Sequence, residues 1–400
     1  MSVFDSLIGQ DDAVAQLTKA AADAKKIVLG QSDSGNAMTH AWLITGPPGS
    51  GRSTSALAFA AALVCSQGGC GTCVDCKNAM AGTHVDIEHI VPEGLIYSVE
   101  DTRSLIERAA LAPSRAHWHV IVIEDVDRFR AEAASTLLKS LEEPPPATVW
   151  LLCAPTSDDV FETIRSRCRQ VVLNTPSLDS ISQQLTARYG IDPKMAKFAA
   201  RAAQGHIGRA RALATDSSVR ERRDEILDMP SRVNSVVSCF EMAAAIVANA
   251  NADTDAIVEP LDSQDEQNIR TAFGDGAEGF KGVERQIKSA VKALEKRSKD
   301  RRRRVLSDQF DRVLLDLTGF YRDVLVVQSG ANLELINEEH RAKVEKVAAT
   351  STSEQSLKRI DVIRETRDNL LANVNPVSAF ESMLVTMRNP ALLNSGSGNA

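Results

Sequence analysis

The stretch Leu43-Ile44-Thr45-Gly46-Pro47-Pro48-Gly49-Ser50-Gly51-Arg52-Ser53-Thr54 constrains this chain more than any other. A short apolar run, His40 to Thr45, leads into it, and an alanine-rich helical pattern, Ser53 to Val64, leaves it. Between them the glycines fall at the spacing G-x-x-x-x-G-K-[ST] of a nucleotide-binding P-loop. Glycine lets backbone N–H groups converge on phosphates, and the helix N-terminus adds a favourable field. Gly46, Gly49, Gly51, Arg52, Ser53 and Thr54 are therefore candidate nucleotide-binding residues, with Ser53 at the place of a magnesium ligand. Arg52, however, stands where lysine is expected. Lysine is a compact charge that reaches the β- and γ-phosphates, whereas guanidinium is planar and bulkier. We expect a retained loop with impaired hydrolysis, which leaves binding of ATP or ADP with Mg2+ open.

A second run, His119 to Ile123, ends in Glu124-Asp125-Val126-Asp127-Arg128. This is the Walker B position, where competent sites read Asp-Glu: the first acid organises magnesium and the second polarises water. Here the order is Glu124-Asp125, so each carboxylate is one methylene off its expected reach. Acids at a strand end mean little alone; after a P-loop at this distance they mean a nucleotide fold.

Residues 1–175 alternate helix and strand. Ala13–Ile27, Val99–Ala112 and Ala131–Glu142 carry helical periodicity, and Val85–Val91 and Val149–Cys153 are further β-branched or apolar runs. Such alternation predicts a parallel sheet with helices on both faces. Residues 176–225 predict a small helical unit, broken at Gly205–Gly208, and residues 226–400 an all-α region. In the latter, Leu306, Phe310, Val313, Leu314, Leu317, Phe320, Tyr321, Val324 and Leu325 share one helical face. The stretch from about 251 to 280, rich in Asp, Glu, Gln and Gly, reads as a mobile loop or insert or, as the alternative, an ordered acidic loop on a folded domain. Lys288 to Arg304 is a basic run that reads as a nucleic-acid patch or, more simply, as a solvated helix face.

Four of the seven cysteines crowd together: Cys65-x4-Cys70-x2-Cys73-x2-Cys76, among glycines. Four thiolates this close can fill a tetrahedral shell without water, the pattern of a structural zinc site. The alternatives are free thiols on a loop and, more remotely, iron–sulfur ligation. Cys153 and Cys239 lie in apolar runs and read as core residues.

Hydrophobic residues are 43% of the chain and charged ones 25%, a globular balance. With no apolar run of about 18 residues and no basic-then-apolar leader, the expectation is a cytoplasmic protein with no membrane partner. Forty-six basic residues against 53 acidic give a net charge of −7, which argues against a free-standing duplex-DNA binder.

Dispersed motifs carry a resemblance to one family. Phe4-Asp5-Ser6-Leu7-Ile8-Gly9-Gln10 resembles its opening box, and the cysteine module follows the P-loop helix as it does there. Leu137-Leu138-Lys139-Ser140-Leu141-Glu142-Glu143-Pro144-Pro145 and Ser166-Arg167-Cys168 are its most specific signatures. Gly205 to Arg211 resembles a sensor 2 segment, and Leu315–Asp323 and Asn373–Pro376 resemble segments of its C-terminal domain. The chain is identified as resembling the AAA+ subunits of the bacterial DNA polymerase III clamp loader. Its departures resemble the delta prime branch rather than the tau/gamma motors: Arg52 for lysine, Glu124-Asp125 for Asp-Glu, and Pro155 at sensor 1, with only neighbouring Thr156 offering a hydroxyl.

The resemblance implies an AAA+ P-loop domain over 1–175 with a zinc module at 65–76, a helical lid over 176–225 and a helical collar over 226–400. It implies that Arg167 projects to a neighbour's nucleotide as an arginine finger; outside that context, Arg167 would read as a surface arginine paired with an acid. It implies tau/gamma and delta subunits as partners, with the sliding clamp and primer-template DNA reached through the complex at the replisome or nucleoid. No polymerase active site is expected in this chain. Intrinsic ATPase activity is expected to be weak or absent. The contrary expectations are an autonomous AAA+ ATPase of helicase or helicase-loader type, and a zinc-organised DNA-binding adaptor.

Overall fold

The computed structural model describes residues 2–31, 37–92, 94, 96–273 and 281–389, with the side chains of 268–273, 281–291, 293, 296 and 297 outside the description. It divides into two compact units, Met1–Thr215 and Asp216–Ala400.

In the first unit α1 (Asp11–Val28) leads to β1 (Ala41–Thr45), α2 (Arg52–Val64), α3 (Val74–Met80), β2 (Ile87–Ile90), α4 (Val99–Ala109), β3 (His119–Ile123), α5 (Ala131–Glu142), β4 (Thr148–Ala154), α6 (Glu162–Arg165) and β5 (Arg169–Val172). The strands pair in parallel in the order β2-β3-β4-β1-β5. The central strands are buried on both faces, which is why they show as continuous apolar runs. Alternation still decides the face. Trp42, Ile44, Val122, Leu151 and Cys153 pack with α1 and α2, while Leu43, Ile121, Trp150 and Leu152 pack with α4 and α5. Alanines of α2 (Ala56, Ala58, Ala60, Ala61) let that helix sit close on the sheet.

Beyond the sheet come α7 (Leu178–Tyr189), α8 (Pro193–Ala202) and α9 (Ile207–Thr215). Ser177 caps α7 by accepting from Ser180 N–H, and Asp192 caps α8 with Pro193 at its first position.

The second unit is helical: α10 (Ser217–Arg232), α11 (Val236–Phe273), α12 (Lys281–Ser329), α13 (Arg341–Ala349), α14 (Ser353–Leu371) and α15 (Pro376–Arg388). Thus α10, which the sequence assigns mostly to the lid, packs with the second unit. The apolar face expected on α12 is present: Phe310, Leu314, Leu317, Phe320 and Val324 are buried in one core cluster with Phe380, Met383 and Leu384 of α15. A buried polar network ties the unit together. Arg223 donates from Nε to Asp316 (3.1 Å) and from Nη2 to Asn337 Oδ1 (2.6 Å), and Asp323 accepts from Asn337 N–H (2.7 Å).

The expectation of a mobile insert over 251–280 is corrected up to Phe273. Those residues continue α11, and residues 274–280 lie outside the described part. The polar composition that reads as a loop is charge-matched to α12. Arg301 donates to Asp262 (2.9 Å) and Asp265 (2.6 Å), Arg302 pairs with Asp255, and Thr254 and Val258 are buried. The basic run is accordingly engaged within the chain at Arg301 and Arg302, and Arg303 meets Asn373. Lys288, Lys296 and Arg297 lie outside the described side chains. Among the described residues no helix is long and apolar enough to cross a membrane.

Candidate functional site

The P-loop leaves β1 at Thr45 and enters α2 at Arg52, with Gly51 as the N-cap in the left-handed region. Gly46 N–H donates back to Ala154 O (3.3 Å) and Pro155 O (3.1 Å), fixing the loop to the end of β4. Gly49 has φ +81°, and a Cβ there would fall 2.3 Å from His206 Cγ and 2.5 Å from its Cα. Only glycine lets the segment before α9 come so near, and Ile207 N–H donates to Gly49 O at 3.3 Å. Gln10 braces the loop from the N-terminus: its Nε2 donates to Asn174 O (2.7 Å) and to Ser50 O (3.4 Å), and its Oε1 accepts from Asn174 N–H (2.9 Å).

The side chains that would handle nucleotide are brought together and face one another. Arg52 Nη2 lies 3.8 Å from Asp125 Oδ1, while its Nη1 is buried with no hydrogen-bond partner. Asp125 adopts φ 50°, a conformation aspartate tolerates better than most residues, and also meets Arg128 at 3.4 Å. Glu124 is buried, with His89 Nε2 2.9 Å from its Oε1. Burial pushes its carboxyl up, but hydrogen bonds from His89 and Ser53 and the charge of Arg52 outweigh burial and hold it below the usual range. Ser53, expected at magnesium, thus turns to Glu124. Thr54 sits half-buried on the first turn of α2. Burial, then the neighbouring Asp125 charge, raises Asp127. Pro155 accepts through its carbonyl, and Thr156 donates to Asp159 (2.8 Å).

The cysteines converge as their spacing predicts. The four sulfurs of Cys65, Cys70, Cys73 and Cys76 lie within 4.8 Å of one another, with Cys65 at 3.9 Å from Cys70 and 3.7 Å from Cys73. A regular tetrahedron with metal–sulfur bonds of about 2.3 Å sets its sulfurs about 3.8 Å apart, so the donor set fits a single zinc ion. Backbone N–H groups of Gln67, Cys73 and Cys76 point at the sulfurs of Cys65, Cys70 and Cys73 (3.3–3.4 Å), which favours thiolate. Donors from Thr72 and Cys73 bring Cys70 down to about 6, whereas burial pushes Cys76 up. Cys76 enters on α3, a helix that spacing alone does not show. Gly69 (φ +100°) lets the knuckle touch the N-terminal turn: its carbonyl accepts from Val3 N–H at 3.0 Å.

Arg167 lies away from these groups, one residue past the cap of α6. Its Nε donates to Glu142 Oε1 (2.7 Å), Nη2 meets the same oxygen, and Nη1 donates to Thr163 O (2.7 Å) and Ser166 Oγ (3.3 Å). The acid partner that a plain surface arginine would have is therefore present. The adjacent Cys168 is partly buried against the core, and burial pushes its thiol up to about 12. Sequence reasoning did not find His89, His206 or the pairing role of Glu142, because none stands at a fixed spacing from the residue it meets.

The family described as DNA polymerase III, delta subunit, matches residues 22–177. The chain is similar to the DNA polymerase III subunit delta' of Bacillus subtilis, with 28% identity over 195 residues, 48% of this chain and 59% of the relative. It is similar to the subunit delta' of Pseudomonas aeruginosa, 30% over 195 residues, 47% of this chain and 60% of the relative. It is also similar to the DNA polymerase III subunit tau of Escherichia coli, 30% over 225 residues, 54% of this chain and 33% of the relative. The chain spans between one third and three fifths of the length of these relatives.

Proposed function

We propose that this chain, whose residues 22–177 match the family described as DNA polymerase III, delta subunit, and which resembles the delta' subunits of two bacteria, serves as a delta prime-type subunit of the AAA+ clamp loader. In this reading it is a non-motor member of the loader that helps place the sliding clamp on primed DNA. It does so by supplying Arg167 in trans to the nucleotide of a neighbouring tau/gamma-type ATPase. The delta subunit is a further partner, the clamp and primer-template DNA are met through the complex, and the cytoplasm is its compartment. Zinc at Cys65, Cys70, Cys73 and Cys76 is structural.

One observation carries the reading. Arg52, Ser53, Glu124 and Asp125 form contacts among themselves and with His89, rather than a set of donors and ligands held apart for Mg2+ and phosphate. A guanidinium at 3.8 Å from Asp125 has its charge countered within the chain. Arg167, by contrast, keeps a third of its side chain exposed, where a neighbour can be reached. Its role there is to offset charge developing on the transferred phosphoryl group.

The test is steady-state ATP hydrolysis by the reconstituted loader with clamp and primed DNA, for wild type and Arg167→Ala, beside this chain alone. We expect the isolated chain to be silent. The site facing Arg167 should lose on the order of a thousandfold in the variant, with assembly intact by size exclusion. Robust hydrolysis by the isolated chain, unchanged by the substitution, would instead establish an autonomous AAA+ ATPase.

A further inference from the structure

We propose that Glu142 is the positioning residue for Arg167, holding the guanidinium plane in the orientation in which it meets a neighbour's phosphate. The inference rests on the finger reading given above.

An arginine side chain has four rotatable torsions and large rotamer entropy, so a finger left to itself samples many directions. Here the fork is gripped from two sides. Glu142 Oε1 takes Nε (2.7 Å) and Nη2, while Thr163 O (2.7 Å) and Ser166 Oγ (3.3 Å) take Nη1. Thr163 O and Ser166 Oγ belong to the turn that carries the arginine and move with it. Glu142 is the only one of the three that comes from another element. It is the last residue of α5, a helix whose buried positions Ala133, Ala134, Leu137 and Leu141 fix it against the sheet. The next residues, Glu143-Pro144-Pro145, cannot continue the helix, so the carboxylate is presented at a rigid helix end.

The geometry also decides between holding and blocking. The side chains of Arg167 and Glu142 are 34% and 47% exposed. An ion pair so wet is weak, too weak to keep a guanidinium from a phosphate anion, whose charge-assisted bonds are stronger. Glu142 therefore biases the finger's orientation without withholding it from phosphate, and its loss lowers the rate at the neighbour's site rather than raising it.

The experiment uses the assembled loader with clamp and primed DNA. Glu142→Ala should lower kcat about two- to fivefold with KM for ATP unchanged, and Glu142→Gln, which keeps an acceptor oxygen, should fall between. Raising ionic strength should bring wild type toward the Ala variant, since an exposed pair is screened. Adding Glu142→Ala to Arg167→Ala should change nothing further. If Arg167→Ala lowers hydrolysis but Glu142→Ala does not, or if the two effects add, the positioning role is overturned and the finger stands. If Arg167→Ala itself leaves the assembled rate unchanged, the finger reading falls and this inference with it. A rise in kcat for Glu142→Ala would reverse the sign and make Glu142 a restraint.

Discussion

The P-loop and the cysteine knuckle stand at opposite ends of the same helix, α2, and treat their polar groups in opposite ways. At the N-terminal end, unlike groups meet: Arg52 with Asp125, and Ser53 and His89 with Glu124. At the C-terminal end, like groups meet, four sulfurs within 4.8 Å, aided by N–H donors that favour the charged form. Opposite charges complete each other from within the chain. Four thiolates so close can hold a cation from outside it. One helix thus joins a set of groups that counter one another to a set that can take up a metal.

The strongest way to break this contrast is to remove the metal. Zinc sites of this type carry about 10–16 kcal/mol of apparent binding free energy in isolated peptides. Cys76→Ser should therefore abolish stoichiometric zinc and sharply lower the melting temperature, and chelation of wild type should give the same curve. Bound metal that can be stripped without moving the melting curve would remove the knuckle from the comparison. A smaller effect tests the closed end. Gly49→Ala puts a Cβ into His206 at a left-handed backbone position, at a cost on the order of 1–3 kcal/mol, read by urea denaturation. A change within error would mean that the segment before α9 does not rest on the loop in solution.

The smallest effect sharpens the electrostatic half. Glu124 titrates below its ordinary 4.5 in the folded state. A depressed carboxyl binds its proton more weakly folded than unfolded, so its stabilisation is complete above about 4.5 and is lost as pH falls through the folded value. Wild type should lose melting temperature on acidification below that point more steeply than Glu124→Gln. Parallel pH profiles would show that Glu124 is not held by Ser53 and His89.

Much of this was legible because the signals are local. Strands β1, β3 and β4 are apolar runs since a central parallel strand is buried on both faces. The P-loop glycines, the strand-end acids and the cysteines lie at fixed short spacings. β5 escaped because it is an edge strand of four residues in which only Val171 is buried. The helix over 251–273 escaped for another reason: its acids are satisfied by Arg301 and Arg302, dozens of residues later, and a composition window sees only the acids. The same limit hid Glu142 and His206. Each acts on a residue to which no periodicity links it.

The sheet order carries a consequence for how the chain comes to be made. β1, the first strand synthesised, finds both of its neighbours late: Trp42 pairs with Leu151 in β4 and lies beside Arg169 in β5. At ~5–20 residues per second, translation leaves β1 without either neighbour for on the order of ten seconds. During that interval Trp42 and Ile44 have only α1 and α2 to pack against, and the ladder groups of β1 await β4 and β5. Closure of the sheet then comes almost together with Gln10 reaching Asn174, so the earliest and latest parts of the unit are fastened in one late event.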